Sequence, residues 1–281
     1  MASLTLKRLQ SYRKHAYCVG KIKTKEQAID FVNTRGFIFF WPISGVTLPS
    51  LWVAAAGDRP VADAHDDPGH VTWGWKDSLL GARKWYYAKV LRKKATMIAL
   101  DVAPYFYALS ENYGDPHEDY LLLHGQGLLT QEAKQVYEAL LREGALDSVA
   151  LRKAARLSSR ESDSRFNKAL EDLQADFKIL PVGVAQAGAW RYAFIYDIVT
   201  NHYPQLPEEA RPITQRAARR KLAELYFRSV GAAQMRDVVK LFGWKQADAD
   251  KAIADLAQAG IVKRELSLAG QAGEWITVDD S

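Results

Sequence analysis

The chain has 281 residues and a mass of 31.5 kDa, with 48% hydrophobic and 25% charged residues, an ordinary globular make-up with room for two or three small domains. No run of eighteen apolar residues is present, which excludes a membrane-spanning helix, and the single cysteine, Cys18, excludes an internal disulfide or an all-cysteine metal site. The formal charge of +5 is split unevenly: residues 1–100 carry 16 Lys and Arg against 7 Asp and Glu, and residues 101–281 carry 22 against 26.

The first fifteen residues lack an apolar h-region, so no secretory signal is expected and a cytoplasmic location is the default. A basic half attracts phosphate backbones; the simpler alternative is a solvated face.

Residues 24–34, TKEQAIDFVNT, predict a short helix with Thr24 as cap and Gln27 at its third position. Ala28, Phe31 and Val32 fall on its inner face. Gly36 then interrupts, and FIFFWPI over residues 37–43 predicts a buried segment. Its periodicity does not separate strand from helix, although Pro42 argues against a central strand beyond Phe40. The run PSLWVAAA predicts a helix ending near Gly57.

Residues 57–77, GDRPVADAHDDPGHVTWGWKD, read as one long turn-rich loop. The candidate acids for activating a water are Asp58, Asp63 and Asp67, together with Asp66. His65 and His70 flank acids, but turn-forming Asx residues and exposed histidines explain the spacing more simply than zinc, so no metal is expected. No Gly-rich phosphate loop, CxxC pair or nucleophile elbow occurs, and no cofactor is implied.

In ARKWYYAKVLRKK, residues 82–94, positive charge and aromatics interleave in the manner of proteins that bind single-stranded or distorted DNA. If helical, the segment lines up Arg83, Tyr87 and Lys94. Lys84, Lys89, Arg92 and Lys93 complete the candidate contacts. The alternative is that the aromatics are core and the lysines solvated.

Two later stretches share one order. The helices TQEAKQVYEALLREG, SVALRKAARL and SRFNKALEDLQADF precede the strand pair FKILPVGV and WRYAFIYDI. The helices ITQRAARRKLAELYFRSVG, AQMRDVVKLFG and KQADADKAIADLAQAG precede IVKREL and EWITVDD. Three helices and a hairpin make a winged helix. The expected fold is α+β, mainly helical, with tandem winged-helix domains. Its expected divisions are an N-terminal winged-helix-like unit at 1–125, a second domain at 126–200, and a linker plus third domain at 201–281. The linker, TNHYPQLPEEARP, reads as having little core of its own.

In a winged helix the third helix enters the major groove. Here that brings Arg165, Asn167 and Lys168 forward, Asn167 for adenine and Arg165 for guanine, although Glu161, Asp163, Glu171 and Asp172 crowd the region. The corresponding helix of the later copy carries Asp248, Asp250 and Asp255 and suits a phosphate backbone poorly. Arg216, Arg219 and Arg220 lie near one side of the helix before it. They suit either a phosphate backbone or nearby acids.

Taken together, the aromatic segment at 37–43, YYAKVLRKKATMIALDVAPYFYAL and the two later units resemble the bacterial winged-helix DNA-binding family that includes the AlkZ/YcaQ DNA glycosylases. The likeness runs from about residue 24 to residue 265 and is clearest in EARPITQRAARRKLAELYFRSVGAAQMRDVVKLFGW. The resemblance implies tandem winged helices around a DNA channel and metal-free cleavage of the N-glycosidic bond of damaged bases. It also implies a catalytic Gln-apolar-Gln or Gln-apolar-Asp strip following a Leu-Gly pair. RGFIFFWP stands at that strip, with Gly36 as the glycine and Phe39 and Trp41 at the two polar positions. A phenyl ring and an indole neither activate water nor stabilise an oxocarbenium ion.

The leading expectation is therefore a DNA-binding protein for damaged or distorted double-stranded DNA. Its alternatives are a glycosylase-like enzyme with non-standard residues and a non-catalytic protein-interaction module. A transcription regulator fits less well, because no sensor or dimerisation element is visible. An open pocket beside Phe39 and Trp41 with an aspartate at its rim favours the enzyme; burial of both aromatics counts against it.

Overall fold

The computed structural model describes residues 5–188, 190–268 and 271–279. Asp280, the last residue of the final predicted strand, lies outside them.

Helix α1, Leu6–Ala16, is capped by the Thr5 hydroxyl and buries Leu9 and Ala16. Helix α2 is Lys25–Arg35, and the Thr24 hydroxyl accepts from the Gln27 amide as its sequence predicts. Strand β1, Phe37–Phe39, settles the ambiguity of the aromatic run. Helix α3, Leu51–Ala56, is capped by Ser50 and stopped at Gly57.

The long loop is shorter than expected. Asp67 caps a 3-10 turn at Pro68–His70, which runs directly into helix α4, Val71–Leu79. Val71 to Asp77, read as loop because of Gly69 and Gly74, are helical, and Trp75 and Leu79 pack inward.

Residues 82–94 form no α-helix. They contain strand β2, Tyr86–Lys89, and a 3-10 turn at Leu91–Lys93, followed by strand β3, Ala95–Ile98. The aligned face of Arg83, Tyr87 and Lys94 therefore does not form. The Trp85, Tyr86 and Tyr87 side chains are buried because rings cover both faces of the strand: Phe177 stacks 4.5 Å from Tyr86, and Phe40 lies 6.2 Å from Tyr87.

Short helices α5, Ala103–Tyr107, and α6, Asp119–Gly125, lead on. Then come α7, Gln131–Glu143; β4, Leu146–Asp147; α8, Ser148–Ala154; α9, Asp163–Ala175; and the hairpin β5, Ile179–Ala185, with β6, Ala193–Ile198. After α10, Val199–His202, and α11, Leu206–Ala210, the order repeats. It runs α12, Gln215–Val230; β7, Ala232–Ala233; α13, Met235–Phe242; α14, Gln246–Gln258; β8, Val262–Leu268; and β9, Gln271–Val278.

Among the described residues there are three three-stranded sheets, ordered β1-β3-β2, β4-β6-β5 and β7-β9-β8. In each, a short strand after a helix pairs antiparallel with the last strand of the following hairpin. The chain thus holds three copies of one topology in a mixed α/β fold.

One apolar cluster joins the first and third copies, and Phe37 and Phe242 meet edge to face at 5.8 Å within it. A second cluster fills the middle copy and takes in Tyr120 and Leu123 of α6. The segment read as a bare linker is packed instead: Tyr203, Leu206 and Ala210 are buried, and the Tyr203 hydroxyl donates to the Trp85 carbonyl at 2.9 Å.

Candidate nucleic-acid interface

Gly36 ends α2 with its amide on the Val32 carbonyl and turns the chain into β1 at φ +80°. A Cβ there would stand 2.7 Å from the Leu225 Cδ1. The strand and the bend just after it hold the two positions of the expected catalytic strip, Phe39 and Trp41. Phe39 has no exposure; it pairs with Thr96 of β3 and its amide donates to the Pro49 carbonyl at 2.9 Å. Trp41 is half-buried, with its ring 5.4 Å from Phe40 and 5.9 Å from Trp73. These are packing contacts, and neither side chain offers a proton acceptor.

Beside this strip lies a lysine that sequence reasoning passed over. Lys76 of α4 is 4% exposed. Its ammonium is within 5.7 Å of the rings of Phe40, Trp73, Tyr87, Tyr192 and Phe194, and Phe194 is nearest at 4.5 Å. It pairs with Asp77 at 2.8 Å and donates to the Tyr192 hydroxyl at 3.0 Å. Burial lowers its pKa, opposed by Asp77. The cation–π arrangement joins α4 of the first copy to the hairpin of the second.

The candidate acids part company. Asp67 accepts from the Arg59 guanidinium at 2.6 Å and the Gly69 amide at 2.7 Å. Those bonds, Arg59 first, hold its carboxyl below the usual value and fix the turn. Asp63 is exposed. Asp58 lines a cavity of about 650 Å³ with Pro42, Gln10, Arg13, Lys14 and Tyr17. His70 Nε2 is 2.9 Å from the Ala62 carbonyl, and among the described residues no group of three His, Cys, Asp or Glu is placed to hold a metal ion.

Most of the basic candidates are engaged within the molecule. Lys89 pairs with Glu171 at 2.8 Å, while Lys93 and Lys168 both reach Asp172. Burial pushes the Asp172 carboxyl up, but the bonds from Lys168 and Lys93 outweigh it and leave it below the usual value. Arg92 donates to the Lys240 carbonyl at 2.8 Å. Arg165 pairs with Glu132 at 3.2 Å, Arg216 grips both oxygens of Asp255, and Arg219 is 3.6 Å from Asp248. Tyr87 is core. Arg83, Lys84, Lys94, Asn167 and Arg220 are exposed. Helix α9, the expected groove-reader, therefore has its C-terminal half tied to the β2–β3 turn of the first copy.

The three-copy topology and the strip at β1 can be set beside known proteins. The model of the AlkZ-related family matches residues 22–243. The chain belongs to that family. Its fold is similar to that of Streptomyces sahachiroi DNA glycosylase AlkZ, with a TM-score of 0.61 and 12% sequence identity, over 99% of this chain and 71% of that one. No curated protein matches the chain in sequence.

The AlkZ-related match begins after α1, and α1 with the turn that follows it carries basic residues that no motif marks. Residues 5–25 carry Lys7, Arg8, Arg13, Lys14, Lys21, Lys23 and Lys25 and no acid. Apart from Arg13, all of these are exposed. The signal was present in the sequence as charge without compensation, but no aromatic or helix-turn-helix pattern marked it.

Proposed function

We propose that this AlkZ-related chain binds DNA through three winged-helix units, divided near residues 125 and 200, and serves DNA repair without base excision at the family's usual strip. The observation that carries the absence of excision is the burial of Phe39 together with the packing of Trp41 against Trp73, where a water-activating pair would stand. DNA as the partner is supported by family membership, by the fold shared with a DNA glycosylase, and by the uncompensated charge of the first hundred residues.

A second reading keeps excision but moves it. Asp58 stands on the wall of the cavity that also contains Pro42, next in the chain after Trp41, among basic side chains. A carboxylate there can accept a proton from water, and base chemistry on an extruded nucleotide needs such a cavity. Asp58 is exposed, and among the described residues its carboxylate has no hydrogen-bond or ion-pair partner, so the non-excising reading stands first.

The deciding experiment incubates the protein with labelled duplex carrying an alkylated base, then heats it in alkali. The proposal predicts intact strands. Breaks at the modified base that disappear in Asp58→Asn would establish the second reading.

A further inference from the structure

The structure assigns helix α1 and the Lys21 turn as the surface that holds the DNA phosphate backbone. The assignment rests on the DNA-binding reading above and names the site within it.

Three observations converge. The first is charge that is left over. Lys89, Lys93, Lys168, Arg165, Arg216 and Arg219 each meet a carboxylate of the same chain. Lys7, Arg8, Lys14 and Lys21 are exposed, and none forms an ion pair among the described residues. Cations with no carboxylate to give up are the readier ones to neutralise DNA phosphates and release counterions.

The second is rigidity. Arg13 Nε and Nη2 donate to the Val230 and Ala232 carbonyls at 3.0 and 2.8 Å. Tyr12 donates to the Arg228 carbonyl at 2.8 Å, and Leu9 is buried. These contacts fasten α1 across the end of α12. Lys7 and Lys14, seven residues apart, share a face, and eleven residues give a rod about 16 Å long. Backbone contacts held on such a rod lose little freedom on binding.

The third is an unsatisfied donor. A cavity of about 400 Å³ on one side of α1 is lined by His15, Lys21 and Arg35, and by Arg228, which pairs with Glu224 at 2.9 Å. The Arg35 guanidinium donates through Nη1 to the Arg228 carbonyl at 3.5 Å, while its buried Nε has no hydrogen-bond partner among the described residues. A guanidinium N–H in a basic cavity calls for an anionic acceptor, and a phosphate oxygen has that chemistry.

The test replaces Lys7, Lys14 and Lys21 by Gln together. A control replaces Lys153, Lys245 and Lys251, which are exposed residues of the other two copies. Binding of a labelled duplex is titrated over a range of salt, with thermal melts confirming that both variants fold. Each lost phosphate contact removes about 0.9 from the slope of log K against log salt. The α1 variant is expected to lose about 2 to 3 units of slope and at least tenfold in affinity near 0.1 M salt, and the control much less. Wild-type affinity and slope in the α1 variant overturn the assignment while leaving the DNA-binding reading intact. Equal losses in both variants overturn it as a net-charge effect. A wild-type protein that fails to bind at any salt overturns the underlying reading and the assignment with it.

Discussion

The ammonium of Lys76 lies 3.0 Å from the phenol oxygen of Tyr192, 116 positions along the chain, and this bond fastens the first copy to the hairpin of the second. Five aromatic rings surround the charge and Asp77 balances it. Replacing Lys76 by Ala removes the ion pair, the bond and the packed stem. We expect a loss of about 2 kcal/mol, or roughly 5 °C in melting temperature, read by calorimetry. An unchanged melt would show that the ring cluster holds the hairpin unaided.

Asp172 makes a pH-dependent tie between α9 and the β2–β3 turn. Its folded pKa lies below the ordinary value, so the folded state binds fewer protons than the unfolded chain as the pH falls through this range. The stability it contributes is present above pH 3.8, the ordinary value, and is lost as the pH falls through the folded value. Asp172→Asn should be less stable than wild type by about 1 kcal/mol at pH 7. In urea unfolding the gap should shrink below pH 3.8. A gap that persists or widens there would contradict the assignment.

Placing at Phe39 the polar residue that the resemblance leads one to expect should damage the protein rather than make it an excising enzyme. Phe39 fills a site with no exposure, so Phe39→Gln leaves a void and buries an amide. The expected cost is about 3–5 kcal/mol, seen as a large shift in the urea midpoint and poor soluble yield. A stable Phe39→Gln protein would show that the strip tolerates polar groups.

What sequence patterns revealed follows from how local the physics is. The Thr24 cap, the helix at Gln131–Glu143 with its Gly144 stop, and both later hairpins are set by neighbours a few residues apart; the cap and helix form as read, and the hairpin strands form with bounds shifted by a few residues. The Tyr86–Lys89 strand is hard to read from sequence because rings cover both of its faces, so polar alternation is absent, and its aromatics are core, as the alternative reading has it. The acid partners of the basic candidates are set at longer range: Glu171 lies 82 residues from Lys89, and Asp255 lies 39 from Arg216. Spacing along a chain does not disclose such partners. Lys76 was invisible for the same reason, because its enclosure draws rings from Phe40 to Phe194.

The most direct measurement of the central claim is the affinity of the intact protein for a labelled duplex at several salt concentrations, with an unmodified and an alkylated strand. We predict binding to both, weakening as salt rises, with a slope in log K against log salt of about −3 or steeper. A flat response to salt, or no binding at low salt, would contradict a phosphate-binding role for this AlkZ-related chain.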